Sequence, residues 1–245
     1  MPESNEIFVE ICVGSLDDAL KVARCCWSNI ELNSALPLGG LSPSAGLVAA
    51  VLAETKLQVV AMVRPRPGGF CYSERDWHLL IDDAERFSEM GVQGVAFGVL
   101  TGERQIDSDR ILQLRRLLPH TKLVFHRAFD LVQDWRAGLE ELIECGVDRV
   151  LTSGGHHTAI EGATVLREMR TLAGAEIQIL AGGGITPDNC RQLIAETGVQ
   201  AIHGSFSMPE IDLGYEDCAI RFGMNDALRV TDESQLLKLK EILRP

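Results

Sequence analysis

The stretch Gly146-Val147-Asp148-Arg149-Val150-Leu151-Thr152-Ser153-Gly154-Gly155 stops a helix, makes a strand and ends in a glycine turn. A glycine supplies the left-handed residue that closes a helix, and the Val-Leu-Thr core of Arg149 to Ser153 suits a buried strand. The opening triplet recurs. Gly91-Val92-Gln93 and Gly198-Val199-Gln200 also follow a helical stripe, and each precedes a strand, Gly94 to Leu100 and Ala201 to Ser205. Each interval between triplets holds one further strand, Leu123 to His126 and Ile177 to Leu180. One βα unit therefore takes about 27 residues, close to what a strand, a helix and two short loops need.

Working outward, the same rhythm fills the chain. Ile7 to Val13, Ser28 to Asn33 and Gln58 to Val63 read as the first strands, with helices over Leu16 to Cys26 and Ala45 to Ala53. Ser73 to Met90 is the clearest helix, because Trp77, Leu80, Ile81, Ala84 and Phe87 recur at three- and four-residue steps. Helices over Arg110 to Leu118, Trp135 to Cys145, Thr164 to Ala173 and Pro187 to Thr197 complete the alternation. The strands are continuous apolar runs, as a parallel sheet covered on both faces requires. Strict β-α alternation over 245 residues predicts a (β/α)8 TIM-type barrel, one domain over residues 1–245. The weak part is Gly204 to Val230, with Pro209 and further glycines, so an irregular last βα unit is expected, closed by Glu233 to Leu243. A doubly wound sheet is the other arrangement of such units. It carries a glycine-rich dinucleotide turn after its first strand, and Val13-Gly14-Ser15-Leu16 is not one, so no nucleotide cofactor is expected.

Composition narrows the function. The formal charge of −12 argues against nucleic acid or an anionic membrane as partner, since both want a basic face. Seven cysteines, an odd number without C-x-x-C, point to a reducing compartment. Met1 to Glu6 has no basic leader, and no apolar run is long enough for a membrane span. A cytoplasmic protein is expected.

Barrel enzymes build their sites at the C-terminal ends of the strands. Alternation puts Glu10 and Cys12 on one face of the first strand, and Glu31 and Asn33 on one face of the second. Arg64 and Arg66 follow the third strand, and Phe125-His126-Arg127-Ala128-Phe129-Asp130 leads out of the fifth. Ser153 and Gly154, then Gly182-Gly183-Gly184, then His203 end the last three. Inward carboxylates need partners, and Arg64, next in chain order, is the expected one for Glu10 and Glu31. As an enzyme site, this set would bind a small anionic substrate, phosphorylated or not, through Arg64, Arg66, Arg127, Ser153, Gly154, Gly182, Gly183, Gly184 and His203. His126 with Glu10, Glu31 or Asp130 would move protons, giving cofactor-independent isomerase or lyase chemistry. A Schiff-base aldolase is not expected, because the five lysines lie away from the strand ends. The same residues would also make a structural ion-pair network. The glycine run is either an anion-binding turn, with Ile185-Thr186-Pro187-Asp188 as a helix start, or a tight turn for packing.

With these residues laid out, the chain resembles the CutC copper homeostasis family. Glu10-Ile11-Cys12, Ile30-Glu31-Leu32, Gly39 to Ser44 and Val63-Arg64-Pro65-Arg66 resemble its E-V-C, I-E-L, G-G-L-T-P-S and I-R-P-R motifs. Phe97 to Thr101, Phe125 to Asp130, Val150 to Gly155 and Gly182 to Gly184 match its F-G-V-L-T, F-H-R-A-F-D, V-L-T-S-G-G and G-G-G. The resemblance implies a (β/α)8 barrel, a homo-oligomer, and a role in copper handling with Cu(I) on Cys12. Members proposed to bind Cu(I) carry a second cysteine after I-E-L. Here that position is Asn33, a poor ligand for a soft ion.

Overall fold

A computed structural model describes residues 7–210, 221 and 228–244. Eight parallel strands close into a barrel in the order β1-β2-β3-β4-β5-β6-β7-β8, so each strand pairs with its neighbours in sequence and β1 meets β8. The strands are β1 (Phe8–Val13), β2 (Asn29–Leu32), β3 (Gln58–Met62), β4 (Gly94–Phe97), β5 (Lys122–Phe125), β6 (Arg149–Thr152), β7 (Gln178–Gly182) and β8 (Ala201–Gly204). Between them run α1 (Leu16–Arg24), α2 (Ala45–Glu54), α3 (Glu74–Glu89), α4 (Ser108–Leu117), α5 (Trp135–Glu144), α6 (Ala163–Ala173) and α7 (Cys190–Thr197). The TIM-type barrel expected from the repeat is therefore the observed fold.

Local chemistry explains the boundaries. Ser15, Ser44 and Ser73 each accept a backbone N–H of the first helical turn, and Gly91, Gly146 and Gly198 sit at positive φ where the chain leaves a helix. β4 ends at Phe97 rather than Leu100, α4 starts at Ser108 rather than Arg110, and α7 starts at Cys190 rather than Pro187. Asn189 bends the chain first, its Oδ1 accepting from Thr186 N and its Nδ2 donating to Gly184 O. The last unit is irregular, as expected. After β8, β9 (Ser207–Pro209) pairs antiparallel with β10 (Arg229–Thr231), and α8 (Glu233–Leu243) follows. Residues 211–220 and 222–227, which include Cys218 and most of the segment read as irregular, lie outside the described residues.

Strand alternation sorts the interior. Val9, Ile11, Val13, Ile30, Leu32, Val59 and Ala61 point outward and join the helices in one large apolar cluster. Their neighbours point inward and form two smaller clusters, Val60, Met62, Ala96 and Val124 on one side, Leu151, Leu180, Ala201 and Phe8 on the other. Barrel interiors are ordinarily filled with branched apolar side chains. Here buried Glu10, Glu31, Asn33, Arg64, His126, Arg149 and His203 interrupt that filling.

Candidate functional site

Glu10 is wholly buried on β1, and its partners come from the adjacent β8 and from β6. Arg149 Nη1 donates to its Oε2 at 3.4 Å, and His203 Nδ1 lies 3.2 Å from its Oε1. Arg149 in turn rests its guanidinium 4.1 Å from the centroid of the Phe8 ring. With Nδ1 on Glu10, His203 turns Nε2 toward Glu31, 3.9 Å from Oε1. Cys12, one alternation further along β1, completes the group. Ligand atoms of Cys12, Glu31 and His203 all lie within 4.8 Å of one another.

Asn33 organises this cluster. Its Nδ2 donates to Glu31 Oε1 at 2.8 Å and approaches Cys12 Sγ at 3.4 Å. The electrostatics follow from burial. Desolvation, reinforced by the charges of Glu31 and Glu10, pushes the Cys12 thiol above its ordinary range. Desolvation also raises the Glu31 carboxyl, against the pull of His203. Burial alone would depress His203, but Glu31, Cys12 and Glu10 together hold its imidazolium well above the usual histidine range.

The sequence reading missed Arg149 and misassigned Arg64. Arg64 does not pair with Glu10 or Glu31. Its Nη1 donates to the carbonyls of Leu38 (3.1 Å) and Gly40 (2.9 Å), and its Nη2 to Gly68 O (2.8 Å). The reason is geometric: the loops after β2 and β3 fold over the guanidinium and offer it backbone carbonyls nearer than any carboxylate. Arg66 leaves the mouth altogether. Its Nε donates to Asp76 on α3 at 2.8 Å and holds that carboxyl below its usual range.

The acid-base set expected around His126 is also taken apart. His126 is an N-terminal cap whose Nδ1 accepts from Ala128 N, and burial with the Arg64 charge takes its pKa to about 3. Such an imidazole is neutral near pH 7 and a weak base, with Nδ1 already engaged by the backbone. Asp130 Oδ1 accepts from Thr152 Oγ1, Ser153 N and Gly155 N, and Oδ2 from Ser153 Oγ and Arg127 Nε. It pins the loop after β6 rather than standing ready as a base. Arg127 joins that clamp through Ser153 Oγ at 2.8 Å. Among the glycines, Gly182 favours the packing reading, because a Cβ there would meet Leu151 Cδ1 at 2.5 Å. Gly154 is buried beneath the same clamp, while Gly183 and Gly184 turn the chain beside Arg127 and Thr158. A flank groove of about 380 Å³, lined in part by Ser42, Leu79, Asp82 and Arg86, holds none of the metal-ligand atoms.

A family model described as the CutC family matches residues 7–208. The chain belongs to the CutC family. A CutC family protein of Treponema denticola is 46% identical over 197 residues, 80% of each chain. The human copper homeostasis protein cutC homolog is 32% identical over 98% of this chain and 90% of its own. A CutC crystal structure from Streptococcus agalactiae superimposes with a TM-score of 0.77 at 31% identity, covering 81% of this chain and 98% of that one. A phosphoribosyl anthranilate isomerase from Thermococcus kodakaraensis, at 16% identity and a TM-score of 0.57, shares with this chain the barrel alone. No helix among the described residues is long and apolar enough to cross a membrane.

Proposed function

We propose that this chain serves copper homeostasis as a single domain, holding one copper ion on Cys12 Sγ and His203 Nε2 with the Glu31 carboxylate beside them. The observation that carries the reading is the convergence of these three ligand atoms within 4.8 Å. The donor set fits the ion. A thiolate supplies the softness that Cu(I) selects, and imidazole is a good second ligand. Glu10 on Nδ1 orients the ring and leaves Nε2 to the metal, an outer-shell carboxylate-histidine pair of the kind that fixes metal-binding imidazoles. Asn33, at the position where copper-binding relatives are expected to carry a second cysteine, orients the thiol and the carboxylate instead of ligating.

Competition for Cu(I) against a chromophoric chelator tests this. Cys12→Ser should weaken binding by at least about a hundredfold, and Glu10→Gln, acting through His203, by about 10–100-fold. Equal, weak binding by all three proteins would sink the proposal.

A further inference from the structure

The other side of the mouth carries buried donors that the metal centre does not use. Arg64 spends its Nη atoms on three neutral carbonyls, and its Nε, also buried, has no acceptor among the described residues. His126 accepts at Nδ1, so the neutral ring carries its proton on Nε2, and that N–H is buried without an acceptor too. Both side chains are only 5% exposed, so water outside the mouth does not serve them. A buried guanidinium whose protein partners are all neutral calls for a negative charge.

These donors belong to one place. Between β3 and β5 the rim of β4 carries Gly98, whose missing side chain lets the His126 ring lie across it. A Cβ on Gly98 would come within 2.3 Å of His126 Cε1. The Arg64 charge reaches this ring. Half-buried Phe70 packs on both, 4.9 Å from the His126 centroid and 5.0 Å from the Arg64 guanidinium carbon. On the β2 side, Asn33 Oδ1 and Glu31 Oε2 are buried acceptors without donors. Gly40 joins the two sides, its carbonyl on Arg64 and its Cα against Asn33 Oδ1.

We propose that this mouth binds a small hydroxycarboxylate, its carboxylate on Arg64 Nε–H and His126 Nε2–H beneath Phe70, and its hydroxyl donated to Asn33 Oδ1. Two N–H groups and one positive charge match the two oxygens and single charge of a carboxylate. A phosphate would bring a third oxygen and a second charge that these two N–H groups do not serve. A second carboxylate on the ligand would face Glu31. The site shares Asn33 with the metal centre but needs no metal, and it does not depend on the copper reading.

Titration of the full-length, ¹⁵N-labelled protein with glycolate tests this, reading the Arg64 Nε–H and His126 Nε2–H resonances. Arg115, whose Nε is also buried without an acceptor but which lies on α4, is the internal control. Saturable shifts at Arg64 and His126 with none at Arg115 are expected. Glycolamide, which keeps the hydroxyl and loses the charge, should bind at least about tenfold more weakly, as should glycolate to His126→Phe. No saturable shift with glycolate or lactate would overturn the proposal. So would equal shifts with inorganic phosphate or chloride, which would mark an unselective anion effect. The wild-type titration decides the matter even if the His126 variant fails to fold.

Discussion

The two polar halves of the barrel mouth are built on opposite principles. On the β1, β2, β6 and β8 side, Glu10, Arg149, His203, Glu31 and Cys12 partner one another across the interior. On the β3 and β5 side, Arg64 and His126 are held by backbone groups and keep one donor each uncommitted. The first half is acid-rich, and Glu31, Cys12 and Glu10 favour the charged form of its histidine. The second is basic, and its histidine is locked neutral. A charged side chain inside a barrel can thus be stabilised by other charges or by the carbonyls of the loop that covers it, and only the first arrangement couples it to pH.

The sharpest way to break the contrast is to remove the long-range partner. Arg149→Met should leave Glu10 buried beside His203 alone and cost about 3–5 kcal/mol in denaturant melts. Adding Glu10→Gln should recover most of that loss, since the uncompensated charge goes with it. If Arg149→Met melts like the wild type, the β1–β6 ion pair is not what holds this half.

Proton release should separate the halves next. Copper binding needs a thiolate and a neutral imidazole, yet the Cys12 and His203 pKa values both lie above their ordinary 9.0 and 6.5. Both groups therefore hold protons at neutral pH, and Cu(I) affinity should rise with pH by about tenfold per unit for each proton displaced. His203→Gln should remove one proton from that slope. The slope should be unchanged in His126→Phe, because a group with a pKa of about 3 does not titrate there. A pH-independent affinity in the wild type would contradict the assigned donors.

The smallest effect sharpens the role of Asn33. Asn33→Cys puts a second sulfur beside Cys12 and should raise Cu(I) affinity by at least about tenfold in the same competition. Fold stability should fall by about 1–3 kcal/mol, since buried Glu31 Oε1 loses the donor it has at 2.8 Å. A loss of affinity would mean that the Asn33 amide is needed to orient the pair.

The fold was legible because it is periodic. The triplets at Gly91, Gly146 and Gly198 and the stripe through Trp77 and Phe87 are local signals, set by residues a few positions apart. Cys12 and Glu31 were legible by strand alternation, and His203 by its place at the end of its strand. What alternation does not carry is partner choice. Arg149 sits at the start of β6, whereas the sequence search followed strand ends, and its pairing with Glu10 joins positions that no local spacing relates. Its parity with Leu151 on β6, which puts it inward, was the available signal. His126 and Asp130 misled for the converse reason. Imidazole and carboxylate at a strand exit suggest proton transfer, but the same types cap turns and accept loop N–H groups.

The seam where β1 meets β8 has a further consequence. Glu10 and His203, opposite one another in that seam, are 193 positions apart in the chain. Contacts so distant form late, since long chain segments must be ordered before the pairing rewards it. The thiol and the first carboxylates emerge early in synthesis, and the imidazole that completes the donor set arrives with the last strand. A half-made chain therefore offers isolated ligands and no chelate. If the proposed donors hold copper, capture is a property of the closed ring, and truncation or slow closure would silence it without touching a single ligand on the first two strands.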